Sequence, residues 1–373
     1  MPQAWYLRSR LAMSKVVIYK VNNDLREKVA AIFQAFAPDL KGRRVLIKPN
    51  MLAALPPEAG RNTHPAVVEA VVLECLDRGA SVRVGDNSGS IDRSPLYTGK
   101  IAGYVEACHG CFGGISSEVV QVPTDSRFVK SFWISKAVLD ADYVIGVPKL
   151  KAHVLMTLSG ALKNTLGYVP GGCKNQLHFK TTGRKQFAEM LVDVHRVRPP
   201  DLHIMEALTV MEGNGPDAGH VRDVGKILAS TDPVALDATA VRMTGQDPAR
   251  VPLITIAQQK GLGTWAEDSI EVVGDFEVIP DFEMITPGFW SSVESVDTFS
   301  KLGTMKPVVY PDKCSPCDLC GLRCPVGAIA TIGGPRVDED KCISCFACVE
   351  FCPQGAFEVP AGLAQEIMSK VFS

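Results

Sequence analysis

The last 60 residues of the chain carry eight of its twelve cysteines, arranged in two copies of one pattern. Each copy has the spacing Cys-x2-Cys-x2-Cys-x3-Cys-Pro, first over 314–325 and then over 342–353. Thiolates at this spacing bind iron–sulfur clusters, because three of them on a tight loop wrap one face of a [4Fe-4S] cube. The pattern therefore predicts two [4Fe-4S] clusters.

The fourth cysteine of each run is expected to serve the other cluster, because the chain leaves the loop along a short helix that carries this thiolate toward the neighbouring cube. The expected ligand sets are Cys314, Cys317, Cys320 and Cys352 for cluster I, and Cys342, Cys345, Cys348 and Cys324 for cluster II. Two clusters in one small unit favour electron transfer, since a structural role would need only one.

Pairs of Cys-x2-Cys also bind zinc, so a pair of zinc knuckles is the alternative interpretation. The runs disfavour it, because both close on Cys-Pro and continue into matching segments, "PVGAI" and "PQGAF". Residues 306–360 closely resemble the two-[4Fe-4S] bacterial-type ferredoxin domain. The resemblance implies a small α+β ferredoxin-like unit with two clusters at the end of this chain.

Upstream of these cysteines, short apolar runs alternate with amphipathic segments. Such alternation is typical of an α/β fold with an open, mostly parallel sheet and helices on both faces. The predicted strands are 15–21, 44–49, 81–86, 142–148, 202–206, 226–230 and 269–275. The predicted helices are 63–79, 183–199 and 231–245, with Thr63 and Asp232 as expected caps ahead of Pro65 and Pro233.

Three domains are predicted: an α/β body over 13–274, a connector over 275–305 that packs on the body, and the ferredoxin domain over 306–373. Met13 opens the first strand, so residues 1–12 are expected to be an upstream tail or a start-codon artefact. The sequence has no run of 18 apolar residues and no signal-peptide stretch, so we expect a cytoplasmic protein with no membrane span. A formal net charge of −2 and scattered basic residues do not favour nucleic acid as a partner.

Polar side chains follow the predicted strands of the body. The carboxyl ends of strands in an open parallel sheet line one crevice, where ligands bind. We expect a site there, with Lys149, His153 and Lys163 in catalytic roles and His153 or Lys163 as the source of protons. The expected substrate-binding residues are Lys48, Asn50, Asp86, Lys151, Asn164, Glu212, Asp232 and Asp237.

The segment over 148–179 carries four lysines among several glycines. Lysines in this number can hold a carboxylate or a phosphate, and a desolvated lysine can lower its pKa enough for acid–base chemistry. The segment predicts an anionic small-molecule substrate. The alternative is that these lysines only solvate a long surface loop.

Six segments of the body resemble the family called domain of unknown function 362: "VLIKPN", "HPAVVEAVV", "VIGVPKLKAH", "ALKNTLGYVPG", "MEGNGP" and "ASTDPVALDATA". They occur in order over 44–245, and the family commonly carries a two-cluster ferredoxin tail. The resemblance implies a shared site around the strand-end residues and no defined activity. A similarity to the lactate racemases is more distant and has no motif here to anchor it.

The chain lacks both G-x-x-x-x-G-K-[ST] and G-x-S-x-G, which disfavours ordinary nucleotide hydrolysis and a serine nucleophile elbow. We expect an iron–sulfur oxidoreductase that passes low-potential electrons between a donor or acceptor protein and the body. The electrons would reach a substrate or a second cofactor there, such as a flavin. Two alternatives stay open: an electron-carrier or docking subunit of a partner enzyme, and a non-redox enzyme with structural clusters.

Overall fold

The computed structural model describes residues 13–88, 94–153, 156–181, 183–215, 218–284 and 306–358. Within these ranges the body is built on one mixed sheet of nine strands, and a separate hairpin adds two more. The body strands are β1 (Ser14–Lys20), β2 (Arg44–Pro49), β3 (Ser81–Val84), β4 (Val119–Pro123), β5 (Ser131–Ser135), β6 (Tyr143–Val147), β7 (Lys149–His153), β8 (Thr157–Ser159), β9 (Leu202–Asn214), β10 (Ala218–Ser230) and β11 (Ile270–Gly274).

The order of the sheet is β11-β1-β10-β9-β6-β2-β3, with β7 joined to β9 and β8 joined to β7. Parallel pairing predominates: β1–β11, β2–β3, β2–β6, β6–β9 and β7–β9 are parallel, whereas β1–β10, β9–β10 and β7–β8 are antiparallel. β4 and β5 form the separate antiparallel hairpin. The predicted α/β class with a mostly parallel sheet is confirmed.

The helices of the described body pack against this sheet. They are α1 (Leu25–Phe36), α2 (Pro65–Asp77), α3 (Pro95–Ile101), α4 (Tyr104–Ala107), α5 (Lys136–Asp140), α6 (Ala161–Asn164), α7 (Cys173–Phe179), α8 (Gly183–Val197), α9 (Pro233–Met243) and α10 (Pro252–Gln259). Proline at the first position of α2, α3, α9 and α10 has a fixed φ suited to a helix start and lacks an N–H that would have no partner there.

Alternate residues of the strands enter two apolar cores on opposite faces of the sheet. Val17 packs with α1 and α2 on one face, whereas Val16 and Ile18 pack with α8, α9 and α10 on the other. This alternation follows from the two-residue repeat of a strand and places helices on both faces, as predicted.

The start of α2 differs from the expectation. Asp232 caps α9 as predicted, because its carboxylate accepts from the N–H groups of Val234 and Ala235. The expected cap at Thr63 is wrong: His64 occupies that position, and its Nδ1 accepts from the Ala66 N–H at 3.2 Å. The Thr63 hydroxyl instead donates to the Val147 carbonyl at 2.7 Å, which ties the start of α2 to the end of β6.

Two segments expected to be loops extend the sheet. Residues 149–153 form β7, because Lys149 and Lys151 are buried against β9 rather than exposed to solvent. The strand expected at 202–206 continues to Asn214, and the strand expected at 226–230 begins at Ala218, so that they form one long hairpin. Of the segment "GNGPDAG", Gly213 and Asn214 end β9, and Ala218 and Gly219 begin β10. Residues 216 and 217 lie outside the described part.

The described part of the tail, 306–358, contains short elements, as an α+β ferredoxin-like unit requires. They are β12 (Val308–Val309), α11 (Leu319–Leu322), β13 (Ile329–Ala330), β14 (Arg336–Val337), α12 (Ala347–Phe351) and β15 (Phe357–Glu358). β12 pairs with β15 and β13 pairs with β14, both antiparallel.

Of the expected connector, residues 275–284 are described and pack on the body. Ile279 and Phe282 are buried in the core with α9 and α10, and the Ile279 N–H donates to the Met243 carbonyl at 2.7 Å. The expectations for 1–12, for the rest of the connector and for residues 359–373 fall outside the described residues, and the domain boundaries stay predictions.

Candidate functional site

The carboxyl edge of the sheet carries a buried ion pair between β2 and the end of β3. Lys48 Nζ lies 2.7 Å from Asp86 Oδ1, and both side chains are excluded from solvent. Lys48 also donates to Asn164 Oδ1 at 3.1 Å, and the Asn164 amide returns a hydrogen bond to the Lys48 carbonyl. Burial lowers the pKa of Lys48, and the charge of Asp86 opposes that effect.

Gly167 lets the chain pass directly over this pair. A Cβ at this position would lie 1.9 Å from Asp86 Oδ1 and 2.6 Å from Lys48 Nζ. The Gly167 carbonyl also accepts from the side-chain amide of Asn87 at 2.8 Å. The glycine is therefore needed for close approach, and it locks the 160–170 segment over the ends of β2 and β3.

Lys174, near the start of α7, joins the same group. Its Nζ donates to the Asn87 carbonyl and, at 2.8 Å, to the Ser88 carbonyl. Burial lowers the pKa of Lys174 to about 7; Asp86 raises it, and the charges of Lys48 and Lys163 lower it further. Lys48 pairs with Asp86, and the charges of Asp86, Lys48 and Lys163 all act on Lys174; we call these four residues the lysine cluster.

A second buried ion pair lies beside β9. Lys149 and Glu206 face each other in the register of β7 and β9, and Lys149 Nζ lies 2.6 Å from Glu206 Oε2. Lys149 also donates to the Thr209 carbonyl at 2.7 Å, while Glu206 Oε1 accepts from the Leu208 N–H at 2.8 Å. The pair is fully hydrogen-bonded, as a buried pair must be if it is to be tolerated.

Asn50 and Lys151 meet at one backbone oxygen. The Asn50 side-chain amide donates to the Arg61 carbonyl at 3.1 Å, and Lys151 Nζ donates to the same oxygen at 2.8 Å. His153, two residues further along β7, accepts from the Met156 N–H through Nδ1 at 3.2 Å. These three expected site residues line the β7 side of the edge.

Three other expected site residues occupy different places. Asp232 caps α9, and Glu212 binds Arg222 on β10 at 3.2 Å and the Glu283 N–H of the connector. Asp237 accepts from the Ala161 and Leu162 N–H groups at 2.7 and 3.0 Å and so holds the start of α6. Burial raises the pKa of Asp237 to about 7, and the two backbone donors oppose the shift. Asp237 thereby positions the helix that carries Lys163 and Asn164.

Each expected cluster site is a cavity lined by its expected cysteines. Cys314, Cys317, Cys320 and Cys352 line one cavity, and Cys324, Cys342, Cys345 and Cys348 line a second. In the described part of the chain no three Cys, His, Asp or Glu side chains converge to hold a single metal ion. A cubane does not need such convergence, since each thiolate binds a different iron atom, so the two quartets fit [4Fe-4S] clusters.

The two cysteine runs have matching local geometry. The Ala328 N–H donates to Cys324 Sγ and the Ala356 N–H donates to Cys352 Sγ, both at 3.1 Å. Asp318 and Phe346, which follow the second cysteine of each run, both have positive φ angles, 55° and 60°. The tail therefore has internal pseudo-two-fold symmetry, and N–H groups of the kind that tune cluster sulfurs are in place.

Gly171, Gly172 and the first residue of α7 join the body to the cluster II cysteine loop. The Gly172 N–H donates to the Ser344 carbonyl at 2.8 Å, and Cys173 Sγ donates to the Ile343 carbonyl at 3.1 Å. A Cβ at Gly171 would lie 2.5 Å from the Cys345 carbonyl oxygen, so only glycine lets these two segments of the chain approach this closely. The next residue after Cys173 is Lys174 of the lysine cluster.

An α/β body with a polar site at its carboxyl edge, joined to a tail with two cubane sites, defines an iron–sulfur protein of the electron-transfer class. The chain belongs to the family "Domain of unknown function (DUF362)", whose model matches residues 45–242. A "4Fe-4S dicluster domain" matches residues 306–353. Both predictions of family membership are confirmed, and the zinc alternative is not supported.

Proteins similar to the chain include one relative and two solved structures. Over 235 residues it is 34% identical to the "Thylakoid-associated protein sll1697" of Synechocystis sp., covering 61% of this chain and 71% of that protein. The lactate racemase apoprotein of Thermoanaerobacterium thermosaccharolyticum has a TM-score of 0.40 at 12% identity, over 62% of this chain. A Thermotoga maritima protein has a TM-score of 0.37 at 12% identity, over 63% of this chain. The chain spans 57% and 58% of the lengths of these two structures.

None of the helices in the described ranges combines the length and the apolar character needed to cross a lipid bilayer.

Sequence reasoning left three features of the site without an individual role. Lys174 is one of four lysines in its segment, and its importance depends on its contact with the distant Asn87. In the sequence Gly171 and Gly172 indicate only a turn, and their importance depends on the contact with the distant Ser344. Glu206 follows an expected strand end, but its role depends on pairing with Lys149. A glycine pair directly before a cysteine and a lysine is the one local signal that pointed to this loop.

Proposed function

We propose that this chain is an iron–sulfur oxidoreductase that reduces a small anionic substrate held by Lys48, Lys163 and Lys174. When bound, the two [4Fe-4S] clusters supply electrons one at a time. The observation that carries the proposal is the position of the first turn of α7. Cys173 lies against the cluster II cysteine loop, and the adjacent Lys174 reaches the lysine cluster at the carboxyl edge of the sheet.

The lysines gathered at this edge of the sheet support an anionic substrate. Lys48 pairs with Asp86, and the charges of Lys48 and Lys163 both act on Lys174. Cations removed from water are stabilised by an opposite charge, and the low local dielectric strengthens that attraction. A carboxylate or phosphate bound at this edge of the sheet would add a further opposite charge beside Lys174 and the half-buried Lys163.

Lys174 is suited to move protons at this position. With its pKa near 7, its ammonium and amine forms are both populated near neutral pH. Electrons added to a bound anion build negative charge on it, and a proton from Lys174 would neutralise that charge. Lys163, an expected proton source, belongs to the same group, and Lys149 and His153 lie on β7; their catalytic roles stay predictions.

Binding of oxalate, a small dianion, to the cluster-reconstituted protein tests the site by anaerobic calorimetry. We expect Lys163→Ala to weaken oxalate binding about tenfold to hundredfold, the loss that follows from removing a charged hydrogen bond. Lys185→Ala, on the exposed side of α8, is the matched control and is expected to bind like the wild type.

The pH dependence of binding tests Lys174 itself. Because Lys174 is cationic below its pKa of about 7 and neutral above it, oxalate affinity should fall from pH 6 to pH 8.5. Lys174→Gln should remove most of this dependence. If neither oxalate nor inorganic phosphate binds the wild type, or Lys163→Ala binds both unchanged, the anionic site is refuted.

Two further expectations stay open. No observation on the described residues singles out a flavin site, so a flavin remains a sequence-based expectation. The cytoplasmic location also remains a prediction, and the name of the cyanobacterial relative favours a test of membrane association, which cell fractionation would provide.

A further inference from the structure

The two cysteine loops of the tail differ sharply in exposure. In the cluster II loop, Ser344, Phe346 and Ala347 are buried, with exposures of 1%, 7% and 2%. In the cluster I loop, all of 315–319 are exposed. The difference has a structural cause, because the Gly171–Gly172 segment of the body covers the cluster II loop.

The pseudo-two-fold symmetry makes the two surfaces comparable residue by residue. Each position of the first run corresponds to the position 28 residues later, so that Ser315, Pro316 and Cys317 match Ile343, Ser344 and Cys345. The carbonyls of Ile343 and Ser344 accept hydrogen bonds from the body at 3.1 and 2.8 Å. The body therefore contacts the cluster II loop at these positions, whereas the matching face at cluster I is exposed among the described residues; we call it the open face.

The open face has exposed apolar side chains at its margin, and a single loop covers the cluster I cavity. Residues 315–319 line the cluster I cavity themselves, so one exposed loop separates this cavity from solvent. Beside it, Leu319, Leu322 and Ile332 are 37%, 77% and 92% exposed. A Cβ on Gly321 would lie 2.8 Å from the Thr331 side chain, which shows that α11 and the 331–332 segment are neighbours.

We infer that this face, formed by residues 315–319 with Leu322 and Ile332, is the docking surface for a small one-electron carrier protein. The inference rests on the proposed function and assigns the surface at which electrons enter the protein. The carrier gives up one electron per encounter and is oxidised by one, and the tail is reduced by one at cluster I. Cluster II, whose cysteine loop is covered by the body, is then the end of the electron path nearer the body. Apolar side chains around a thin cover suit brief contacts with a redox partner, because such interfaces are small and depend on a few central residues.

The test measures reduction of the reconstituted protein by stopped-flow absorbance, without any substrate. The donors are a reduced two-[4Fe-4S] ferredoxin, a reduced flavodoxin and, as the small-molecule control, reduced methyl viologen. We expect Leu322→Glu and Ile332→Glu to slow reduction by the protein donor about tenfold and to leave the viologen rate and the iron content unchanged. Leu96→Glu, 59% exposed on α3 of the body, is the control and should match the wild type with every donor.

Surface plasmon resonance gives a readout independent of turnover: the carrier should bind Leu322→Glu more weakly than Leu96→Glu. Equal rates and equal binding for both variants would overturn the inference, and so would a wild type that neither protein donor reduces. If the wild type does not bind oxalate, but Leu322→Glu still slows its reduction by the protein donor, the proposed function alone is refuted. Intact oxalate binding with reduction insensitive to Leu322→Glu would refute the docking surface alone.

Discussion

Cys173 of the body donates its thiol hydrogen to the carbonyl of Ile343 in the tail, with 3.1 Å between Sγ and the oxygen. The side-chain amide of Gln176 donates to the same oxygen at 3.2 Å. These contacts join the first turn of α7 to the loop that carries Cys342 and Cys345. One short helix therefore connects the cluster II cavity with the lysine cluster.

Gly172→Val tests whether this junction holds the tail on the body. A Cβ at Gly172 would lie 2.8 Å from the Ser344 carbonyl oxygen and 2.9 Å from the Phe346 ring, so a branched side chain must push the two apart. We expect faster amide hydrogen exchange over 342–347, measured by mass spectrometry, with the sheet of the body unchanged. Gly113→Val is the control, because a Cβ at that position meets nothing within 4 Å. Unchanged exchange over 342–347 in the Gly172 variant would contradict the expectation.

Gly167→Ala should destabilise the body by about 1–3 kcal/mol, the usual cost of overpacking a buried site. The added methyl would overlap Asp86 Oδ1 and Lys48 Nζ, and neither can move into solvent because both are buried. Urea unfolding followed by far-ultraviolet circular dichroism measures the change in the free energy of unfolding. Gly113→Ala should stay within about 0.5 kcal/mol of the wild type, and an equal effect of the two variants would show that the close approach has no cost.

Removal of one partner of the Lys149–Glu206 pair should cost more stability than removal of both. Lys149→Met leaves Glu206 buried without its cation, with an expected loss of about 3–5 kcal/mol in the free energy of unfolding. Adding Glu206→Gln should recover part of that loss, because no charge is then left in the interior. A double-mutant cycle gives the coupling, and losses that simply add would mean that the two groups do not interact.

The histidines His195 and His203 should make the fold sensitive to acid. They stack with ring centroids 5.9 Å apart and are fully buried, and burial lowers the pKa of His195 to about 4 and that of His203 well below its usual value. Unfolded histidine titrates near pH 6.5. The unfolded state therefore takes up protons first as the pH falls below about 6.5, and stability is lost in that direction. We expect a loss of about 1–2 kcal/mol per histidine between pH 7 and pH 5.5.

Urea unfolding at a series of pH values measures this slope. His203→Leu should reduce it, whereas His109→Gln, which removes a histidine with a 44% exposed side chain beside Glu69, should leave it unchanged. Equal slopes in all three proteins would show that the buried histidines do not control the response to acid.

The cysteine runs and the parallel strands were predictable because both are local patterns. The spacing of Cys314 to Cys324 is set by the shape of one loop, and the apolar runs of β1, β2 and β6 require burial on both faces wherever they pair. β7 was not predictable in the same way. Lys149 and Lys151 have the composition of a loop, and their burial depends on partners such as Glu206 and the Arg61 carbonyl, which are distant along the chain.

The sequence by itself determined the family, the α/β class, the two cysteine quartets and the strand ends at which polar residues collect. Only the tertiary structure decided which of those residues meet: Lys48 with Asp86 and Asn164, Lys174 with Asn87, and Cys173 with the cluster II loop. The physical reason is that ion pairs and close glycine contacts join residues that are far apart in the sequence, in some cases by more than 100 positions. Such contacts produce no periodic pattern in the sequence. Spacing and apolar periodicity, by contrast, act over a few residues and can be detected without the fold.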